Sequence, residues 1–202
     1  MKYLISSILF SLLGLCSHSQ NGYRITFVNK TTLKPTDGRA TIESKYLRQI
    51  ITDTAVYLYP SNKKNNSNLV YGKLIHHYSI YYFSKSNTYY YGNDDNVFSG
   101  PFLLKKTPPH DTTRWIADTT IISTFNGYRC ARALGIKGPG DSSKVIYTPD
   151  IQYPPGFNGY QGLPGVVLEI YNNKSNIHLQ AISIEKDAFE ITLPKQQMIK
   201  EQ

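Results

Sequence analysis

Short runs of Tyr, Val, Ile, Thr and Phe, cut apart by clusters of Gly, Pro, Asn, Asp and Ser, limit what this chain can fold into. The runs are YRITFV (23–28), TAVYLY (54–59), IHHYSIYYF (75–83), NTYYYG (87–92), RWIADTTIIS (114–123), GYRCARAL (127–134), KVIYT (144–148), VVLEIY (166–171), IHLQAISI (177–184) and FEITL (189–193). Side chains alternate between the faces of a strand, so Tyr23, Ile25 and Phe27 share one face, as do Val166, Leu168 and Ile170. Ala55, Tyr57 and Tyr59 likewise oppose Val56 and Leu58. The connections SKS, NGY, GPGDSS and NNKS have the turn chemistry of antiparallel neighbours. Helical spacing occurs in IESKYLRQII (42–51), through Ile42, Tyr46, Gln49 and Ile50. Many strands with so little helix argue against a βαβ architecture. The expected fold is all-β and mainly antiparallel, a curved sheet or half-barrel or else a sandwich, with at most one short helix.

The first nineteen residues read as a secretory signal peptide: Lys2, an apolar run from Tyr3 to Cys16, then small polar residues. Ser17 and Ser19 fit a cleavage site that leaves Gln20 as the new terminus. Lipid attachment at Cys16 is the rival reading, against which Leu15 stands where a small residue is wanted. Residues 20–202 then form one domain with enough chain for a real core. No other stretch is apolar enough to cross a membrane, so no transmembrane segment is expected in the mature chain. The exported protein is expected in the periplasm, at the outer membrane or outside the cell.

Losing Lys2 lowers the formal charge from +8 to +7. The basic residues are scattered, with no arginine cluster to grip phosphate, and nucleic acid is not an expected partner. Cleavage also leaves Cys130 as the single cysteine, so no intramolecular disulfide forms and apolar burial must hold the fold.

Candidate chemistry is sparse. Cys130 shares a strand face with Tyr128 and Arg132, and a buried structural thiol fits that pattern better than a nucleophile served by His76, His77, His110 or His178. His76 and His77 point to opposite faces and cannot both ligate one ion in a regular strand. No metal, cofactor or catalytic residue is expected. Asp94 and Asp95 sit in a turn cluster, and nothing pairs Asp118, Asp150, Glu169 or Glu185 as an acid and base. Glu169 faces either solvent or a cleft shared with Tyr171. The 17 tyrosines are the more informative feature, because a phenol offers an apolar body with a polar tip. Tyr78, Tyr81, Tyr89 and Tyr91, with Glu169 and Tyr171, are the candidate ligand-binding residues, against simple packing in the sheet.

GFNGYQGLPG (156–165) places glycine at every third position. On a polyproline-like path these glycines line one edge, which can lie close against another surface. Pro164-Gly165 suits the centre of a type II turn, with φ > 0 at Gly165, feeding VVLEIY.

GLPGVVLEIY (162–171) resembles the signature of the GLPGLI family of exported Bacteroidota proteins, with Gly162, Leu163, Pro164 and Gly165 matching and Val166-Val167 replacing Leu-Ile. WIADTTIISTFNGYRCARA (115–133) is similar to the family's upstream block, through Trp115, Gly127, Tyr128, Cys130 and Ala133. IYTPDI (146–151) is similar to a third, with Ile146 where the family has tryptophan. The resemblance implies a signal-bearing, β-rich envelope or secreted protein of unknown biochemical function, with no catalytic residues to carry over. DTA (53–55) and the two DTT triplets (111–113, 118–120) resemble the O-glycosylation acceptor of Bacteroidota, making Thr54, Thr112 and Thr119 candidates.

The expectation is therefore a non-enzymatic binding or assembly module with a tyrosine-rich groove, whose partner is an envelope component or a small or polymeric ligand. The alternative is a hydrolase of surface polymers.

Overall fold

A computed structural model describes residues 20–30, 46–60, 78–93, 102–106, 113–154, 162–172, 174, 177–193 and 198–201. The expected signal peptide, Cys16, the doublets His76-His77 and Asp94-Asp95, His110, Thr112 and the ladder glycines Gly156 and Gly159 lie outside these residues.

Twelve strands make one sheet among the described residues: β1 (Gln20–Asn29), β2 (Tyr46–Thr52), β3 (Ala55–Pro60), β4 (Tyr78–Phe83), β5 (Thr88–Asn93), β6 (Phe102–Lys106), β7 (Arg114–Phe125), β8 (Tyr128–Gly138), β9 (Asp141–Thr148), β10 (Val166–Asn172), β11 (Ile177–Phe189) and β12 (Met198–Glu201). The order β12-β6-β5-β4-β3-β2-β1-β11-β10-β9-β8-β7 is two antiparallel meanders fused where β1 pairs with β11. β12 adds to β6 in parallel. The sheet does not close into a barrel: β7 and β12 are its edges. The all-β, mainly antiparallel class is as expected, in one open sheet.

The strand assignments hold with three revisions. The helical spacing at 42–51 is overridden from Tyr46 onward, where β2 pairs on both sides with β1 and β3. Burial of Gln49, Ile50, Ile51 and Thr52 in succession outweighs weak helical periodicity. The runs 177–184 and 189–193 are not two strands, because β11 continues unbroken to Phe189 and residues 190–193 are irregular. Phe102–Lys106 and Met198–Glu201 pair as strands that the composition did not mark.

The core follows the alternation. Ile25, Phe27, Ile51, Val56, Tyr82 and Tyr89 from the first meander join Cys130, Val166, Leu168 and Ala181 from the second in one buried cluster, with Tyr23 packed against it. A smaller cluster gathers Ala131, Ala133, Val145, Tyr147, Leu163 and Val167, with Trp115 against it. Asn126 (φ 50°) and Gly127 (φ 84°) make the two-residue hairpin between β7 and β8, where both positions need positive φ.

Bulges shift the register at four places, one of them in β8 between Ile136 and Gly138. In β7, five steps from Asp118 to Ser123 face only two on β8, from Arg132 to Cys130, so three residues are extra. In β1–β11 the shift at Thr26/Phe27 leaves Ile182 out of the pairing and half-exposed. In β10 the shift between Val167 and Glu169 corrects the expected shared face of Val166, Leu168 and Ile170. Val166 and Leu168 enter the main core, whereas Ile170 packs with the smaller cluster. A bulge puts two residues opposite one and turns the pattern over beyond it.

Candidate functional site

The bulge in β10 and the hairpins around it build a groove. Residues directly opposite one another across adjacent strands lie on the same face. One such row runs Ile116, Leu134, Lys144, Tyr171, His178 through β7, β8, β9, β10 and β11. The next runs Asp118, Arg132, Ile146, Glu169, Gln180 through the same strands. At the β7 to β10 end the two rows line an open groove of about 460 Å³, with Ile116, Leu134 and Ile146 as its aliphatic surface. It is continuous with the core, because the face of β8 that sinks Cys130 also presents Arg132.

Each carboxylate in the groove is engaged by a neighbour. Asp118 Oδ1 accepts the backbone N–H of Thr120 at 2.9 Å, and Tyr147 donates its hydroxyl to the Asp118 carbonyl at 3.3 Å, fixing the start of the β7 excursion. Hydrogen bonding to Thr120, with the positive field of Arg132 behind it, holds the Asp118 carboxyl below the usual carboxylate range. Glu169 Oε1 lies 3.0 Å from His178 Nε2. Tyr171 meets the same imidazole edge-on, with ring centroids 5.6 Å apart. His178, isolated in sequence, does not itself line the groove but contacts the two residues at its end, Glu169 and Tyr171.

Glu169 and Tyr171 line this groove, which answers whether Glu169 faces a cleft. The aromatic strands are elsewhere, and the expected tyrosine-rich groove is corrected there. Tyr81 and Tyr89 are 5% and 3% exposed, too buried to meet a ligand. Tyr57 lies opposite Tyr81, and Tyr82 opposite Tyr89, so antiparallel pairing stacks the first pair of rings at 4.3 Å and brings the second together, tilted, at 4.7 Å. Tyr91 packs against the core, and burial raises its phenol above the usual range. Tyr78 is in β4, opposite Asn93. Packing, the bland reading of the tyrosines, accounts for Tyr81, Tyr89 and Tyr91.

Arg132 and Lys144 went unmarked as ligand-facing residues. The GPGD turn alone would set Leu134 opposite Val145, and the bulge between Ile136 and Gly138 moves it opposite Lys144; alternation then carries Arg132 to the same face. The position of Glu169 depends on the β10 bulge, for which the sequence has no comparable mark.

The remaining candidates have structural settings. Cys130 is buried, its Sγ directed to the Tyr128 carbonyl at 3.5 Å, and burial raises its thiol pKa. Asp150 clasps Arg129, accepting its backbone N–H at 2.7 Å and its side-chain Nε and Nη2 at 2.8 and 2.6 Å. Thr54 and Thr119 are exposed, and the Thr54 hydroxyl donates to Gln20 Oε1 at 2.8 Å. Among the described residues no three His, Cys, Asp or Glu side chains gather as a metal site.

No family model matches the sequence, and no curated protein matches it. The fold is similar to that of PNGF-II, solved in C2 and P21 space groups, with TM-scores of 0.60 and 0.59 at 17% and 18% sequence identity. Each likeness covers 90% of this chain but only 31% of the PNGF-II chain, so this chain spans under a third of the length of the structures it matches. At that identity the likeness concerns the fold alone.

Proposed function

We propose that this protein is an exported, non-catalytic binding module whose ligand lies in the groove between β7 and β10. The observation that carries this reading is the separation of the two groove carboxylates. Asp118 and Glu169 share one cross-strand row but stand three strands apart. At about 4.8 Å per strand this is roughly 14 Å between their backbones. Paired acids in glycoside hydrolysis stand about 5 to 9.5 Å apart at their carboxyl groups. Asp118 is moreover held ionised by the Thr120 amide, which disfavours it as a proton donor. An aliphatic surface flanked by a few polar groups is instead the composition of a ligand site, and 460 Å³ falls within the about 300–1,000 Å³ such sites occupy.

The GLPGLI resemblance and the signal-like first nineteen residues support export. The three resembling blocks also share a packing role. Trp115, Ala133, Tyr147 and Leu163 all belong to or pack on the smaller cluster behind the groove strands. On this reading the motif residues build the scaffold, and the groove carries the binding.

Purified protein should bind a groove ligand stoichiometrically while releasing no product from the polymers or amphiphiles it binds. Hydrolytic turnover that disappears in both Asp118→Asn and Glu169→Gln would replace binding with catalysis. Fractionation of the host should find the chain outside the cytoplasm.

A further inference from the structure

We infer that the groove takes an anionic amphiphile, its carboxylate or phosphate head held between Arg132 and Lys144 and its aliphatic body laid along Ile116, Leu134 and Ile146. The inference rests on the binding reading above and names the ligand class.

Charge complementarity selects the head group. Lys144 is directly opposite Leu134, and Arg132 is two residues from Leu134 on the same strand. The two cations are therefore diagonal neighbours on one face, with about 7 Å between their stems, a span that two long side chains close around one anion. Among the described residues neither cation is within ion-pair distance of a carboxylate. The groove's own acids are hydrogen-bonded elsewhere: Asp118, opposite Arg132 and within its field, takes the Thr120 amide, and Glu169 sits against His178. A planar guanidinium and a mobile ammonium are thus left for an anion, a combination suited to carboxylate or phosphate.

Lining chemistry selects the body. Ile116, 49% exposed on the edge strand, continues across the sheet into Leu134, and Ile146 occupies the adjoining row. These surfaces are branched and aliphatic. A sugar ring is favoured by flat aromatic platforms, and the groove lining holds one aromatic residue, Tyr171. The single groove tyrosine, Tyr171, stands at the Glu169–His178 end, where its ring packs edge-on to the imidazole.

The test is calorimetric titration of the whole protein, below micelle concentrations, with dodecanoate, dodecyl phosphate and dodecyltrimethylammonium. One dodecanoate or dodecyl phosphate should bind per chain, at least tenfold more tightly than the cationic amphiphile. The arm that binds tighter separates carboxylate from phosphate heads. The exposed double variant Arg132→Gln/Lys144→Gln should lose that tenfold preference while keeping the circular dichroism and melting temperature of the parent. Leu134→Ser should weaken all three amphiphiles. Equal affinity for both charges, unchanged in the double variant yet reduced by Leu134→Ser, would overturn the anion assignment and leave the groove as a binding site. No binding of any of the three overturns the ligand class, and unaltered binding in Leu134→Ser overturns the groove itself.

Discussion

A Cβ atom built on Gly165 would stand 2.0 Å from the carbonyl oxygen of Thr148. Thr148 closes β9 and is fully buried, so the contact is with fixed backbone. The segment before β10 lies directly on the turn after β9, held also by the Val166 amide on the Ile151 carbonyl at 3.0 Å and by Gln152 Nε2 bridging the Pro149 and Pro164 carbonyls. Gly165 is required for close approach, not for conformation. The positive φ expected there belongs to Gly162, at +87°, where no atom lies within 4 Å of an added Cβ. Gly165→Ala should therefore cost about 2 kcal/mol or more, through displaced backbone. Gly162→Ala should cost about 1 kcal/mol, through the left-handed backbone alone. Urea unfolding of both variants checks the ranking, and Gly162→Asn, which tolerates positive φ better, should recover part of the second loss but has no counterpart at Gly165.

Asp150 ties the turn after β9 to the start of β8. Its carboxyl is held below the usual range, first by the Arg129 side chain and then by the Arg129 amide. A carboxylate whose folded pKa is depressed stabilises the fold above its unfolded pKa, about 3.9, and that contribution is lost as pH falls through the folded value. Asp150→Asn should therefore melt lower than the parent at neutral pH, and the gap should close as the pH falls below about 4. Thermal melts across that range decide it: a gap independent of pH would mean that packing, not ionisation, matters at this position. Arg129→Lys keeps the charge but loses the two-pronged contact, and should fall between the two.

The strands were legible because alternation and turn chemistry are local properties. YRITFV sends Tyr23, Ile25 and Phe27 to the main core as read, and Asn126-Gly127 makes the tight hairpin its residues call for. The site was legible only in part, because it depends on register. Alternation marks which β10 residues oppose one another, but the extra residue at Leu168 turns the strand and moves Glu169 into the row of Ile146 and Arg132. The tyrosines misled for a related reason. Alternation shows them on both faces of β4 and β5, whereas their exposure depends on which rings pairing brings opposite, and Tyr81 and Tyr82 each meet another tyrosine.

Cys130 should react slowly with thiol reagents in the native protein and rapidly once unfolded. It is 2% exposed, and burial raises its pKa, so both access and thiolate fraction are reduced. Labelling kinetics with and without denaturant measure the ratio. Labelling in native buffer at the rate of a free peptide thiol would contradict the burial of this strand face.

Trp115, the single tryptophan, reports on the cluster behind the groove. It is paired with Gly135 across β7 and β8, and a Cβ added at Gly135 would lie 2.7 to 3.0 Å from three atoms of its ring. The absence of a side chain at Gly135 lets the indole lie flat over the neighbouring strand, against the cluster that holds Ala133 and Leu163. Here the obstructing atoms belong to a side chain, so a substitution rotates the ring outward before it breaks the backbone pairing. Gly135→Val should therefore shift the tryptophan emission to longer wavelength as the indole meets water, and lower the melting temperature. Gly138, near the end of the same strand with nothing within 4 Å of an added Cβ, supplies the control: Gly138→Ala should leave the emission unchanged. An unshifted spectrum in Gly135→Val would mean that the indole does not cover that glycine, and that the smaller cluster is closed by something other than Trp115.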